Sequence, residues 1–305
     1  MLTALTNIEI TGLQRISRGK VRDVFTVDDS SLLLVASDRL SAFDVVLAEG
    51  IPNKGQVLTQ MAAFWFSKTA SRVHNHVITT DDRAVQRAVE QAGGVWTAAL
   101  SGRSMLCRRT KPLPIEAVVR GYLAGSAWKE YKAHPGELWG HALPVHLVES
   151  SAFSTPIYTP SSKATQGHDL PMQISDAADL LGNYALQVQD ISMDLYGFAA
   201  KYVSSLGLIL ADTKLEFGVT SSGELLVIDE IFTPDCSRYW PADSYKTSMS
   251  PPSFDKQFVR DYLESLDGWN KQYPPPPIPA DIVDKTRQKY LDVFSLITGT
   301  GLQYE

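Results

Sequence analysis

The stretch Ala211-Asp-Thr-Lys-Leu-Glu-Phe-Gly218, with Val227-Ile-Asp-Glu230 a short turn away, decides how the chain is read. Lys214–Thr220 and Leu225–Ile231 read as one β-hairpin turning at Ser221-Ser222-Gly223-Glu224, and Leu208–Ala211 as a buried strand before it. In a symmetric hairpin Thr220 faces Leu225 and Glu216 faces Asp229, with facing Cβ atoms about 5 Å apart. Two carboxylates that close repel unless a cation lies between them. Hard oxygen ligands on a rigid hairpin suit Mg²⁺, which keeps several waters and is completed by substrate phosphates. Lys214 lies two residues from Glu216 and so emerges on the same face. An ordinary salt-bridged outer face has the same pattern, and geometry alone slightly favours it.

Upstream of the hairpin, Tyr184–Leu206 carries Val188, Ile191, Leu195, Phe198 and Tyr202 at helical spacing and stops at Gly207. The N-terminal third reads mostly as strands. Lys20–Val27 and Ser31–Ser37 form a hairpin over Asp28-Asp29-Ser30. Gln56–Val73 reads as a helix, and Met105–Arg109 and Ile115–Arg120 as strands joined by Thr110-Lys-Pro-Leu-Pro114, a stiff connector suited to an inter-lobe hinge. Ser126–Lys132 suggests a short helix with a Ser cap. Leu147–Ser175 is polar and aperiodic, a long loop of the functional kind. Phe254–Leu266 and Ile282–Ile297 close the chain as helices around the Pro274–Pro277 spacer. The expected fold is α+β in two lobes, a strand-rich residues 1–110 and a mixed α/β residues 111–305.

A length of 305 residues suits two lobes better than one core, and 44% hydrophobic with 20% charged residues excludes a disordered chain. No apolar run approaches the roughly 18 residues of a membrane span; Leu32–Ala36 is only strand-sized. Residues 1–10 lack the basic and apolar regions of a signal peptide. A net charge of −6 argues against nucleic-acid binding through a basic face, though local arginines can still hold an anionic small substrate. Cys107 and Cys236 form no CxxC or Cys/His cluster, so a reducing cytosol is expected.

Four other stretches carry chemistry. Ser17-Arg-Gly-Lys-Val-Arg-Asp23 is not a P-loop, but Gly19 lets the backbone approach phosphate while Lys20 and Arg22 project from one face. Val118-Val-Arg-Gly-Tyr-Leu-Ala-Gly-Ser-Ala127 places Arg120 and Ser126 near a helix start, equally an anion site or a capped turn. Ser37-Asp-Arg-Leu-Ser-Ala-Phe-Asp44 and Pro234-Asp-Cys-Ser-Arg-Tyr-Trp240 each read alone as polar surface loops. Lys163 and His168-Asp169 are ambiguous. His74 and His76 alternate as on a strand without a third ligand and read as structural.

Taken together and in order, GKVRD (19–23), SDRLSAFD (37–44), VVRGYLAGSAW (118–128), KATQGHD (163–169), ADTKLEFG (211–218), IDE (228–230) and PDCSRYW (234–240) resemble the SAICAR synthetase family. FDKQFVRDYL (254–263) is similar to the C-terminal part of its longer members. Cys236 departs from the family's small Ser or Gly but is nearly isosteric. The resemblance implies a two-lobed fold related to the ATP-grasp and protein-kinase folds, with ATP in the inter-lobe cleft. It implies an ADP-forming ligase that joins L-aspartate to carboxyaminoimidazole ribonucleotide through an acyl phosphate, in purine biosynthesis. By the same resemblance Lys214, Lys163 and Asp212 are catalytic. Ser17, Gly19, Lys20, Arg22, Lys214, Glu216 and Asp229 bind ATP, with Glu216 and Asp229 holding Mg²⁺. Asp38, Arg39, Ser41, Arg120, Ser126, Asp169 and Arg238 bind substrate, and the adenine sits against Arg109–Pro114. ATP, the ribonucleotide and aspartate are the expected partners of a cytoplasmic monomer or homodimer, with no nucleic acid or membrane. A kinase would need an HRD-type loop and a DFG triplet, both absent. A binding module without turnover would not need Lys214, Glu216 and Asp229 together.

Overall fold

The computed structural model describes residues 3–163, 170–254 and 256–303. Strands β1 (Arg15–Arg18), β2 (Arg22–Thr26) and β3 (Ser31–Ala36) begin the first sheet. β2 and β3 pair from Arg22↔Ala36 to Thr26↔Leu32 around the expected turn. The Asp28 carboxylate closes that turn by accepting the N–H groups of Ser30 at 2.7 Å and Ser31 at 2.8 Å. Helix α1 (Lys54–Thr69) follows, then β4 (Val77–Thr79), α2 (Asp82–Gln91) and β5 (Ser104–Arg108). The sheet is antiparallel in the order β1-β2-β3-β5-β4. Phe25, Leu33 and Val35 pack with Val85 and Val89 of α2, while Met105 and Cys107 pack with Met61 and Trp65 of α1.

The second sheet contains β6 (Ile115–Tyr122), which leads to α3 (Gly125–Ala133), and β7 (Ala152–Tyr158). Helices α4 (Ile174–Leu181) and α5 (Ala185–Ser204) then precede β8 (Leu208–Val219), β9 (Leu225–Ile228) and β10 (Ser237–Pro241). Helices α6 (Gln257–Glu264) and α7 (Ala280–Thr298) close the chain. β8 is central: β6 lies along one side, β9 and β10 share the other. The predicted stripe of α5 covers the sheet through Val188, Leu195 and Val203, and the Tyr196 hydroxyl donates to the Leu210 carbonyl at 2.6 Å.

Four expectations are corrected. The hairpin pairs Val219 with Leu225 and Glu216 with Ile228, so Glu216 does not face Asp229. Its connection has five residues, Thr220–Glu224, closed by Thr220 N–H to the Glu224 carbonyl at 2.9 Å. That slip of one residue puts every expected partner on the opposite face. Second, Ala124, not Ser126, is the N-cap of α3, and no side chain caps it. Third, the aperiodic segment 147–175 contains β7 and a short pairing of Ser161 with Glu116. Ser, Thr and Pro side chains hide this strand because its ladder, not apolar alternation, holds it in place. Leu208–Ala211 and Lys214–Thr220 are also one continuous strand.

Candidate active site

One face of β8 carries Asp212, Lys214 and Glu216 in a row, because alternate residues of a strand point the same way. Neighbouring strands extend the row sideways, with Arg120 of β6 and Arg238 of β10 both in register with Asp212. Arg120 Nη1 lies 3.0 Å from Asp212 Oδ2, and Arg238 Nη1 bonds the same oxygen. Arg120 also donates from Nε to Thr159 Oγ1 at 2.9 Å and from Nη2 to Ser126 Oγ at 3.4 Å. Burial, only partly opposed by Asp212 and reinforced by Arg238, pushes the Arg120 pKa down to about 10. Two guanidiniums on one carboxylate leave net positive charge in a recess of about 280 Å³ lined by Arg120, Ser126, Trp139, Asp212, Lys214 and Arg238. Such a recess selects an anion.

Further along the row, Lys214 Nζ bonds Glu116 of β6 and lies 3.5 Å from Glu216 Oε1. Lys163 Nζ bonds the other Glu216 oxygen. Burial works against the Lys214 ammonium, but Glu216 and Glu116 outweigh it and hold its pKa above the ordinary lysine value. Burial likewise opposes the Glu216 carboxylate, yet Lys214 and Lys163 pull its pKa below the usual range. This end of the row is charged throughout.

Asp229 leaves β9 in a left-handed conformation, φ 63°. Despite the shifted register its carboxylate lies close enough to the row to feel the charges of Glu216 and Lys214. Arg22 Nη1 donates to both its carboxylate oxygens at 3.3 and 3.4 Å, and Arg22 Nη2 lies 2.7 Å from Glu230 Oε2. Burial raises the Asp229 pKa to about 6; Arg22 opposes this, while the like charges of Glu216 and Glu230 add to it. The repulsion between Glu216 and Asp229 is what a bound cation relieves. Among the described residues no group of three or more His, Cys, Asp or Glu side chains is arranged to hold a metal. Two carboxylates fit Mg²⁺ where phosphate oxygens and water complete the shell.

The basic turn closes between β1 and β2, with the Gly19 N–H donating to the Arg22 carbonyl at 2.7 Å. Ser17, Gly19 and Lys20 are exposed, and Lys20 pairs with Asp44. Arg39 is buried beneath, donating to the carbonyls of Thr6 (2.8 Å), Gly19 (3.1 Å) and Lys20 (3.3 Å) and pairing with Asp23. Asp38 is equally buried, accepting from Leu5 N (2.8 Å), Gly55 N (2.9 Å) and Arg103 Nη1 (2.9 Å). Both spend their polar atoms on the scaffold, bracing the turn and the start of α1. Ser41 is half-buried in a small hairpin beside them, and Asp169 lies outside the described residues.

Sequence reasoning misses Glu116, Trp139, Lys54 and Asp235. Lys54, fully buried at the start of α1, pairs with Asp235 at 2.7 Å, which also holds Lys256 at 3.2 Å and the Tyr290 hydroxyl at 2.6 Å. The motif Pro234–Trp240 held the only sequence signal for Asp235. His76 and Cys107, distant in sequence, lie 3.7 Å apart, Nε2 to Sγ. Burial pushes the His76 pKa down to about 3 and the Cys107 thiol well up, so both are neutral and neither serves as base or nucleophile. Burial also raises Cys236, to about 12.

Residues 15–276 match the family model described as SAICAR synthetase. A phosphoribosylaminoimidazole-succinocarboxamide synthase from Geobacter metallireducens is 46% identical over 303 residues, covering 99% of this chain and 100% of the relative. One from Thioalkalivibrio sulfidiphilus is 49% identical, with the same coverage. The structure of SAICAR synthase from Saccharomyces cerevisiae complexed with SAICAR superposes with a TM-score of 0.83 at 38% identity, covering 97% of this chain and 99% of that one. No helix among the described residues is long and apolar enough to cross a membrane. The chain belongs to the SAICAR synthetase family, ATP-dependent ligases that join L-aspartate to carboxyaminoimidazole ribonucleotide in purine biosynthesis.

Proposed function

We propose that the row on β8 divides the work of this ligase along one strand. The observation that carries the reading is the order Arg120–Asp212–Arg238, then Lys214, then Glu216 with Asp229. Arg120, Arg238 and Ser126 take the ribonucleotide phosphate, with Asp212 fixing both guanidiniums. Ser17, Gly19, Lys20 and Arg22 approach the ATP phosphates, and the adenine rests against the connector Arg109–Pro114 between lobes 1–110 and 111–305. Glu216 and Asp229 would hold Mg²⁺, which supplies charge neutralisation to the transferring phosphoryl group. Asp38 and Arg39 brace the turn from behind, and Ser41, half-buried beside them, is left to contact substrate. Every group in this scheme comes from one chain, so a monomer suffices and a homodimer is compatible. The cytoplasm, where ATP and aspartate are abundant, is the proposed compartment.

A carboxylate is a poor acyl donor because it bears charge and lacks a leaving group. In the proposed route its oxygen attacks the γ-phosphorus of ATP, the bond to ADP breaks, and an acyl phosphate forms. Lys214 and Lys163 stabilise the charge that develops on the phosphoryl oxygens. The neutral aspartate amine then attacks the carbonyl carbon, the C–O bond breaks, and phosphate departs with one former carboxylate oxygen. Cys107, Cys236 and His76 are buried and neutral, so none of the three competes as a covalent nucleophile. Ribonucleotide labelled with ¹⁸O in its carboxylate tests the route. One labelled oxygen should appear in released phosphate; unlabelled phosphate with amide product forming would refute it.

A further inference from the structure

The small hairpin Glu137–Leu138 with His141–Ala142 pairs Leu138 directly with His141, leaving Trp139 and Gly140 as its two-residue turn. Both have positive φ, 47° and 91°, as a type I′ turn demands. Such turns favour Asn-Gly, and a bulky residue in the left-handed region is an outlier that costs the fold stability. The hairpin is firmly held. Leu138 is fully buried, and His141 Nε2 lies 2.7 Å from the Tyr158 carbonyl. That anchor precedes Thr159, the residue that holds Arg120 Nε.

The strained residue has a specific neighbour. The Arg120 guanidinium carbon lies over the Trp139 ring, 5.4 Å from its centroid, and the indole lines the recess that Arg120 and Arg238 make cationic. Arg120 has five N–H donors, of which Thr159, Asp212 and Ser126 take three. One N–H each of Nη1 and Nη2 is left, and with the indole over one face the guanidinium's planar edge is what remains for an anion.

We propose that Trp139 is a positioning residue for the ribonucleotide: its ring fixes the plane of Arg120 and closes the anion recess on that side. This rests on the assignment of Arg120 to the ribonucleotide phosphate. Turn strain is retained because the ring is used, so stability and binding separate on substitution.

Trp139→Asn suits the turn and removes the ring. It should keep or raise the melting temperature while weakening carboxyaminoimidazole ribonucleotide, in both calorimetric affinity and Michaelis constant, by about 5- to 30-fold, with the ATP constant within about twofold. Trp139→Phe keeps an aromatic face and should stay near wild type. If Trp139→Asn does not fold, Trp139→Leu against Trp139→Phe decides, Leu alone weakening the ribonucleotide. An unchanged ribonucleotide affinity in the ring-less variants overturns the proposal. So does a Phe variant as weak as Asn or Leu, or ribonucleotide and ATP constants that move together. Calorimetry reads binding without turnover. A wild type that binds ribonucleotide but forms no amide product would sink the ligase chemistry alone, and one whose affinity ignores Arg120→Ala would sink the Arg120 assignment.

Discussion

Asp212→Asn removes one charge from between two guanidiniums and leaves the side-chain shape intact. Asp212 and Arg120 side chains are each 8% exposed and Arg238 21%. At an effective dielectric near 20, two unit charges 3–4 Å apart attract by roughly 4–5 kcal/mol before desolvation is counted. Desolvation offsets most of that while the cluster is complete. With the carboxylate gone, the two cations remain buried and repel, and breaking a buried pair this way costs about 3–5 kcal/mol. Unfolding entropy of about 2 cal/mol/K per residue amounts to roughly 0.6 kcal/mol/K for this 305-residue chain. The melting temperature should therefore fall by about 5–8 °C. An anion restores the missing charge, so the ribonucleotide should raise the melting temperature more in the variant than in wild type. Scanning calorimetry with and without ribonucleotide reads both effects. A variant melting within about 1 °C of wild type would show that Asp212 does not neutralise the two arginines.

Asp229→Asn should abolish the response of turnover to Mg²⁺ without lowering the melting temperature, since burial already disfavours its charged form; undiminished activity at limiting Mg²⁺ would remove it from the metal site. Lys54 gives a pH signature. Burial lowers its pKa from 10.5 to about 8, despite Asp235. Between those values the unfolded chain binds the proton more tightly, so this group's contribution to stability rises with pH by about 3 kcal/mol from pH 8 to 10.5. Lys54→Met should flatten that rise in denaturant midpoints, and parallel curves for both proteins would count against it.

The alternation of Asp212, Lys214 and Glu216, the stripe of α5 and the first hairpin were legible because each follows a short period set by local geometry. The hairpin register was not, since a five-residue connection and a four-residue turn differ by one hydrogen bond at Thr220. Ser126 looks like a helix cap in sequence, yet its hydroxyl serves Arg120 across the strand end. Glu116 and Trp139 stayed invisible, and Asp235 showed only as part of its motif, for one reason: their partners Lys214, Arg120 and Lys54 lie far along the chain or on another element. Asp38 and Arg39 sit in a motif of the right type, but burial turns their charge toward the scaffold.

The single strand β8 also dictates where this chain tolerates changes of length. At roughly 3.4 Å per residue, Asp212 and Glu216 stand about 14 Å apart, so the strand itself meters the span between the proposed phosphate recess and the proposed metal carboxylates. Losing or gaining one codon between residues 212 and 216 would turn one end of the row onto the face covered by α5. Charged groups would then meet apolar packing, and the two halves of the reaction would lie on opposite sides of the sheet. The connection Thr220–Glu224 absorbs the same change outside the row. Length variation among working sequences should therefore collect at that tip, while the interval 212–216 stays constant in number even where its residues change.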